Sequence, residues 1–349
     1  MELAQALPDT RSADSGQEHW VDAIGLQFRS FLKQARDTLR AAASGQEADD
    51  VRVVKDLEPR LGPPFHRFIR LLDQVPERIA PGRMPAVRRR LQELLLDVLI
   101  PAPVFRQSFL EPFSSAGDSL ALEIACADPY QGETAYAKFL NRMFCELAVS
   151  RAAISRLDYL RRWIAYAVHD SGRQRARILS LACGPAREMG DYLASNAPGK
   201  ELVVSLLDRD ARALAFAQAA LAPFAGHGRP LRVAPVHAAA DDLVRTPGRF
   251  VHLAGQRLIY SAGLLDSLPA GAAGAVLRAL FALLAPGGVL VAGNLSPRCD
   301  SRGFLESVAG RQRIYRTDED LLGLAAGIPA APSIERDATG VNGFLVLWR

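Results

Sequence analysis

"RILSLACGPAREMGDYLAS", residues 177–195, passes from an apolar run to a polar, helix-like segment through a single glycine, Gly184. A strand hands over to a helix in this way at a nucleotide-binding turn. A dinucleotide fingerprint has three glycines at such a turn, because the backbone must wrap closely around a pyrophosphate. Downstream the grammar is regular. "ARILSLAC", "ELVVSLLD", "LRVAPVHA", "QRLIYSAG" and "GGVLVAGN" are short apolar runs separated by helical stretches such as 211–222 and 272–284. Apolar strands alternating with helices predict a parallel sheet covered on both faces. The end, "PSIERDATGVNGFLVLWR", holds two strands around a turn at Gly340–Gly343, with no room for a helix between them. A tight connection requires antiparallel pairing. A parallel sheet finished by an antiparallel hairpin departs from a plain dinucleotide-binding fold.

Upstream, residues 19–170 read as helices broken by Pro and Gly. Segment 149–169 places Ile154, Leu157, Leu160, Ile164 and Val168 on one face, and segment 84–99 does so with Val87, Leu91, Leu94, Leu95 and Val98. The prolines of "LGPPF" (61–65) and "LIPAPVF" (99–105) predict corners. The division expected is a disordered tail at 1–18, a helical cap or substrate domain at 19–170, and a ligand-binding domain at 171–349. At 349 residues and 49% hydrophobic composition the chain is long enough for both domains. The net charge of +4 comes from scattered arginines, and no basic face with interleaved aromatics points to nucleic acid. Cys126, Cys145, Cys183 and Cys299 form no CxxC pair and stand at no zinc spacing, so they read as buried small residues in a reducing compartment, and no metal is expected. There is no signal-peptide pattern and no run of about 18 apolar residues. The expectation is a cytoplasmic protein with a small-molecule substrate, no nucleic-acid or membrane partner, and cap faces able to pair in a homodimer.

The strand ends supply the candidate ligand contacts. S-adenosylmethionine has no phosphate, so one close backbone approach at Gly184 can serve it. Asp208, ending the second strand, is placed to accept both ribose hydroxyls, although it could instead cap the helix starting near Asp210. Asp241 or Asp242, after the third strand, is a candidate for the adenine amine or a plain cap. Arg187 and Glu188, just past the turn, could hold the methionine carboxylate and amine, or pair with the cap. Tyr260, ending the fourth strand, could face the sulfonium through its ring or belong to the core. Ser261 beside it is a further cofactor contact. His237 reads as structural.

The chain resembles class I S-adenosylmethionine-dependent methyltransferases, and within them the bacterial group named for extracellular-factor 3-hydroxypalmitic acid methyl ester biosynthesis. The resemblance rests on "DPYQGETAYAKFLNRMF" (128–144), "LSLACGPARE" (179–188), "IYSAGLLDSLP" (259–269), "GNLSP" (293–297), "IYRTDEDL" (314–321) and "NGFLVLW" (342–348). It implies a Rossmann-like fold, a mostly parallel seven-stranded sheet with a terminal antiparallel hairpin, and an N-terminal helical cap. It also implies S-adenosyl-L-methionine as cofactor, with Tyr130 and Tyr136 of the cap as catalytic candidates beside Tyr260. Where typical members carry Gly-Tyr-Ala-Gly-Asp-Tyr, this chain reads "SSAGDSL" (114–120), with Ser115 and Ser119 in place of both tyrosines. The acceptor can therefore differ from a long fatty acid. Three activities fit: methylation of a carboxylate or hydroxyl of a fatty-acid-like or other secondary metabolite, cyclisation of S-adenosylmethionine to azetidine-2-carboxylate with release of methylthioadenosine, and non-catalytic sensing of either ligand.

Overall fold

The computed structural model describes residues 14–44, 49–110, 115–169, 175–196, 199, 201–225 and 230–349, with the backbone alone at 14, 15 and 115–120. In chain order the helices begin with α1 (Asp14–Ala42), α2 (Asp50–Asp73), α3 (Val75–Arg78), α4 (Met84–Leu99), α5 (Pro103–Leu110), α6 (Ser115–Ala127) and α7 (Ala135–Cys145). Then come α8 (Ala148–His169), β1 (Arg175–Leu181), α9 (Arg187–Ser195), β2 (Glu201–Asp208), α10 (Ala211–Leu221), β3 (Leu231–His237) and α11 (Asp242–Arg245). The chain ends with β4 (Gln256–Ser261), α12 (Ala270–Leu283), β5 (Leu284–Leu295), α13 (Arg302–Ser307), α14 (Asp318–Gly323), β6 (Ser333–Arg336) and β7 (Asn342–Trp348). Residues 14–18, expected in the tail, are the first turn of α1, which leads into the buried stripe Trp20, Val21, Ile24 and Phe28.

Contacts divide the chain into two compact units. The first holds Met1–Pro112, Ala121–Ser150 and Asp300–Gln312; the second holds Phe113–Leu120, Arg151–Cys299 and Arg313–Arg349. The boundary expected at 170/171 thus falls at 150/151, because Tyr159, Leu160, Ile164 and Val168 of α8 belong to the core beneath the sheet. Residues 300–312 return to the helical unit because Phe304, Val308 and Ala309 join its core.

The first unit is helical, and its centre is aromatic. Phe65 meets Phe28 and Phe144 at centroid distances of 5.6 Å each, and Phe144 meets Phe304 at 5.4 Å. The corner expected at "LIPAPVF" is present between α4 and α5, but the one at "LGPPF" is not. Helix α2 runs through Pro59, Pro63 and Pro64. An interior proline loses a backbone bond and costs about 3 kcal/mol. The same helix buries Val54, Leu61, Phe65, Ile69 and Leu72, each worth about 1.5–3 kcal/mol. Packing offsets the prolines.

The second unit is a seven-stranded sheet in the order β3-β2-β1-β4-β5-β7-β6. Strands β1 to β5 pair in parallel, whereas β7 runs antiparallel to both β5 and β6. The terminal hairpin is therefore as expected, with β7 inserted next to β5. Strand β5 starts at Leu284, earlier than its "GGVLVAGN" core suggests. Side chains alternate between two layers. Ile178, Leu258 and Tyr260 face α8, α9 and α10, while Leu179, Leu181 and Ile259 face α11, α12 and α14. This is the Rossmann-like class I methyltransferase fold, with a helical N-terminal region.

Candidate functional site

Strand order reverses between β1 and β4, which is where α/β sheets bind ligands at the carboxyl ends of their strands. Beyond β1, Ala182, Gly184 and Ala186 all take left-handed backbone, with φ of 51°, 52° and 50°. This is the conformation a G-x-G-x-G sequence adopts freely. A Cβ in that region costs roughly 1–2 kcal/mol per residue, so two of the three positions are strained alanines. The turn has three special positions, and only one carries a glycine to mark it.

Asp208 ties this turn to β2. Its carboxylate is 1% exposed and accepts the Gly184 N–H at 3.1 Å and the Asp210 N–H at 2.9 Å. The cap of α10 is Asp210, which accepts from Arg212 N at 2.9 Å, so the capping alternative for Asp208 falls away. A carboxylate offers about four lone-pair positions, and the backbone takes two of them. After β3, Asp241 pairs with Arg245 at 2.8 Å and makes no cap hydrogen bond. Asp242 accepts the Ala239 N–H at 2.9 Å. His237 Nε2 lies 3.0 Å from the Arg209 carbonyl oxygen.

Glu188 and Tyr260 form a buried pair. The Tyr260 hydroxyl donates to Glu188 Oε1 at 2.7 Å, and the two residues are 1% and 5% exposed. Burial pushes the Glu188 carboxyl up, while the Tyr260 hydroxyl and the charge of Arg156 pull it back. Burial, and then the neighbouring Glu188, also raise the Tyr260 phenol. The Tyr260 ring lies in the apolar layer with Met189, Tyr192 and Val291, which is the core alternative of its sequence reading. Arg187 donates through Nε to Asp191 Oδ1 at 2.9 Å. Ser261 is 2% exposed, and its Oγ has no hydrogen-bond partner among the described residues.

A second cluster escapes sequence reasoning. Asp266 follows β4, and its Oδ1 accepts the Leu295 N–H at 2.7 Å. Arg316 donates through Nη1 to the Leu265 carbonyl and to Asn294 Oδ1, each at 2.6 Å. Asn294 in turn donates to the Ile314 carbonyl at 2.8 Å. The motifs "GLLDSLP", "GNLSP" and "IYRTDEDL" therefore converge to clamp the loop after β4. Burial pushes the Asp266 carboxyl up to about 6, although Arg313, the Leu295 N–H, Arg156 and Arg316 all oppose it. Asp266 and Arg316 stand 50 residues apart and only the folded chain shows both to be buried, at 4% exposure each.

In the helical unit the cap candidates are occupied structurally. The Tyr136 hydroxyl donates to the Val98 carbonyl at 2.8 Å from a side chain 5% exposed, so Tyr136 anchors α7 on α4. The Tyr130 hydroxyl donates to Glu58 at 3.3 Å, with Arg142 and Lys55 over its ring. Asn141 receives the Val104 N–H at 2.9 Å and donates to the Pro129 carbonyl at 3.0 Å. The "DPYQG…FLNR" residues thus satisfy one another's polar groups. Ser114 lies outside the described residues, and residues 115–119 are described by their backbone alone. All four cysteines are free, three of them buried and Cys126 half-buried. Among the described residues no group of three or more His, Cys, Asp or Glu could hold a metal, and no helix is long and apolar enough to cross a membrane.

No protein-family model matches the sequence, and no curated protein is detectably similar to it. The chain is similar to several solved structures. A Bordetella parapertussis protein described as a possible exported protein is 18% identical, with a TM-score of 0.53 over 97% of this chain and 99% of its own. Magnesium protoporphyrin IX methyltransferase from Synechocystis PCC 6803, solved with S-adenosylhomocysteine, is 12% identical, with a TM-score of 0.46 over 70% of this chain and 99% of its own. The CurJ carbon methyltransferase is 13% identical, with a TM-score of 0.46 over 98% of this chain and 94% of its own.

Proposed function

We propose that the second unit binds S-adenosylmethionine at the carboxyl ends of its strands and transfers the methyl group to a small-molecule acceptor. The observation that carries this reading is the turn after β1. Its backbone is that of a nucleotide-binding turn, yet Ala182 and Ala186 place methyl groups where a pyrophosphate cradle carries only hydrogen. An adenosyl ligand without phosphate fits such a turn. Asp208 keeps lone pairs for the two ribose hydroxyls, Asp241, now paired with Arg245, is the candidate for the adenine amine, and Ser261 Oγ, without a partner among the described residues, can meet a polar group at the end of β4. Glu188, held by Tyr260, is the acid available to an ammonium group. Bound there, S-adenosylmethionine supplies an electrophilic sulfonium methyl. The protein's task is then alignment of the acceptor.

A carboxylate acceptor suits these residues best. It is already ionised at neutral pH and needs no general base. The strand-end acids have other partners: Glu188 accepts from Tyr260, and Asp266 from Leu295. A carboxylate of a fatty-acid-like metabolite is therefore the first acceptor class to offer, ahead of a hydroxyl. The test is product analysis by mass spectrometry, with S-adenosylmethionine alone and then with 3-hydroxy fatty acids. S-adenosylhomocysteine formed only when an acceptor is present supports methyl transfer. Methylthioadenosine and a four-membered imino acid from S-adenosylmethionine alone would replace it with the cyclase activity.

A further inference from the structure

Four described arginines bury Nε without a hydrogen-bond partner: Arg142, Arg156, Arg177 and Arg257. Three fasten the guanidinium through other nitrogens. Arg142 reaches Glu58 and Glu146, Arg177 the His252 carbonyl, and Arg257 the Gly287 carbonyl and Tyr166. Arg156, on α8, has no hydrogen bond and no ion pair among the described residues. Buried donors are normally hydrogen-bonded, to protein or to ordered water, so an unpaired one calls for an explanation.

Its position says which ligand. A methyl group added to Gly263 would come within 3.2 Å of both Arg156 Nη1 and Asp266 Oδ2. Glycine there leaves the guanidinium room beside the end of β4, two residues beyond the partnerless Ser261. The charge of Arg156 also reaches Glu188, at the start of α9. A guanidinium beside a carboxyl, neither closing on the other, complements an anion and a cation carried on adjacent atoms. Planar carboxylates suit the two-pronged guanidinium, and an α-amino acid carries its ammonium on the neighbouring carbon. We propose that Arg156 binds the α-carboxylate at the amino-acid end of S-adenosylmethionine, with Glu188 beside it for the α-ammonium. This rests on the S-adenosylmethionine reading above. It moves to Arg156 the role that the sequence offered to Arg187, which is engaged with Asp191.

The test compares S-adenosylhomocysteine with 5′-methylthioadenosine, which keeps the nucleoside and thioether but lacks the amino-acid end. Calorimetric affinities are measured for the full chain, for Arg156→Gln and for Arg156→Lys. Arg156→Gln should weaken S-adenosylhomocysteine by about tenfold to a hundredfold, the usual effect of losing a charged hydrogen bond. It should leave 5′-methylthioadenosine unchanged, and Arg156→Lys should recover part of the loss. Equal weakening of both ligands, or undiminished S-adenosylhomocysteine affinity in Arg156→Gln, overturns the assignment while the cofactor reading stands. If the unaltered protein binds neither ligand, the cofactor reading itself fails, and this inference falls with it.

Discussion

Asp208→Asn separates the two jobs the structure gives to one carboxylate. In the protein, Oδ2 and Oδ1 accept backbone N–H groups from Gly184 and Asp210 at 3.1 and 2.9 Å, in a side chain 1% exposed. An asparagine keeps the shape but turns one oxygen into an amide donor, which then faces another donor. Leaving one buried N–H unpaired costs about 1–3 kcal/mol. That cost should appear as lower resistance of the second unit to urea, with no change in the helical unit. Binding should fall further than stability alone explains. Replacing the charged acceptor of the ribose hydroxyls weakens each bond by about 1 kcal/mol or more, so S-adenosylhomocysteine affinity should drop at least tenfold. The control is an analogue lacking both ribose hydroxyls. The unaltered protein should discriminate against it, and the variant should do so much less. If Asp208→Asn is destabilised yet binds S-adenosylhomocysteine within threefold of the original, the carboxylate only ties the loop, and the ribose assignment is wrong.

Three further outcomes follow from the helical unit. Gly303→Ala would place a methyl 2.1 Å from the Leu72 carbonyl oxygen, so α13 should detach from α2 and thermal unfolding should shift several degrees lower; an unchanged melting temperature would refute that packing. Burial pushes the Asp73 carboxyl up to about 7 against the opposing N–H groups of Gly303 and Phe304. Its folded value lies above its unfolded one of about 3.9, so its contribution is full below about pH 4 and is lost as pH rises through about 7. Asp73→Asn should remove that fall, and parallel denaturation midpoints for the two proteins across pH 4–7 would refute it. Pro64→Ala should restore an N–H for the Arg60 carbonyl and stabilise the unit by about 2 kcal/mol, the proline cost less the gain in unfolded-chain entropy; a destabilised variant would mean the proline ring itself is packed.

What could be read from the sequence, and what could not, divides along physical lines. Strands β1, β2, β4 and β5 announce themselves because a strand covered on both faces must be apolar, the edge strand β3 by its place in the alternation, and β7 because a two-strand ending leaves no length for a crossover. The left-handed alanines at 182 and 186 give no such sign, since alanine fits a helix or strand equally well and only tertiary context forces φ positive. Prolines argued against α2 by a local rule that the aromatic core around Phe65 overrides. The contacts of Asp266, Asn294 and Arg316 span separate motifs, so each motif was visible while their meeting was not. Arg156 looks like one more polar position on an amphipathic helix. Only its close approach to Gly263 and the unpaired Nε distinguish it.

The most direct measurement is a calorimetric titration of the intact protein with S-adenosylhomocysteine and, separately, with NADH. A turn bearing methyl groups at Ala182 and Ala186, tied to the strand-end carboxylate of Asp208, predicts one site for S-adenosylhomocysteine and no heat of binding for NADH. Saturable binding of NADH, with none for S-adenosylhomocysteine, would contradict it.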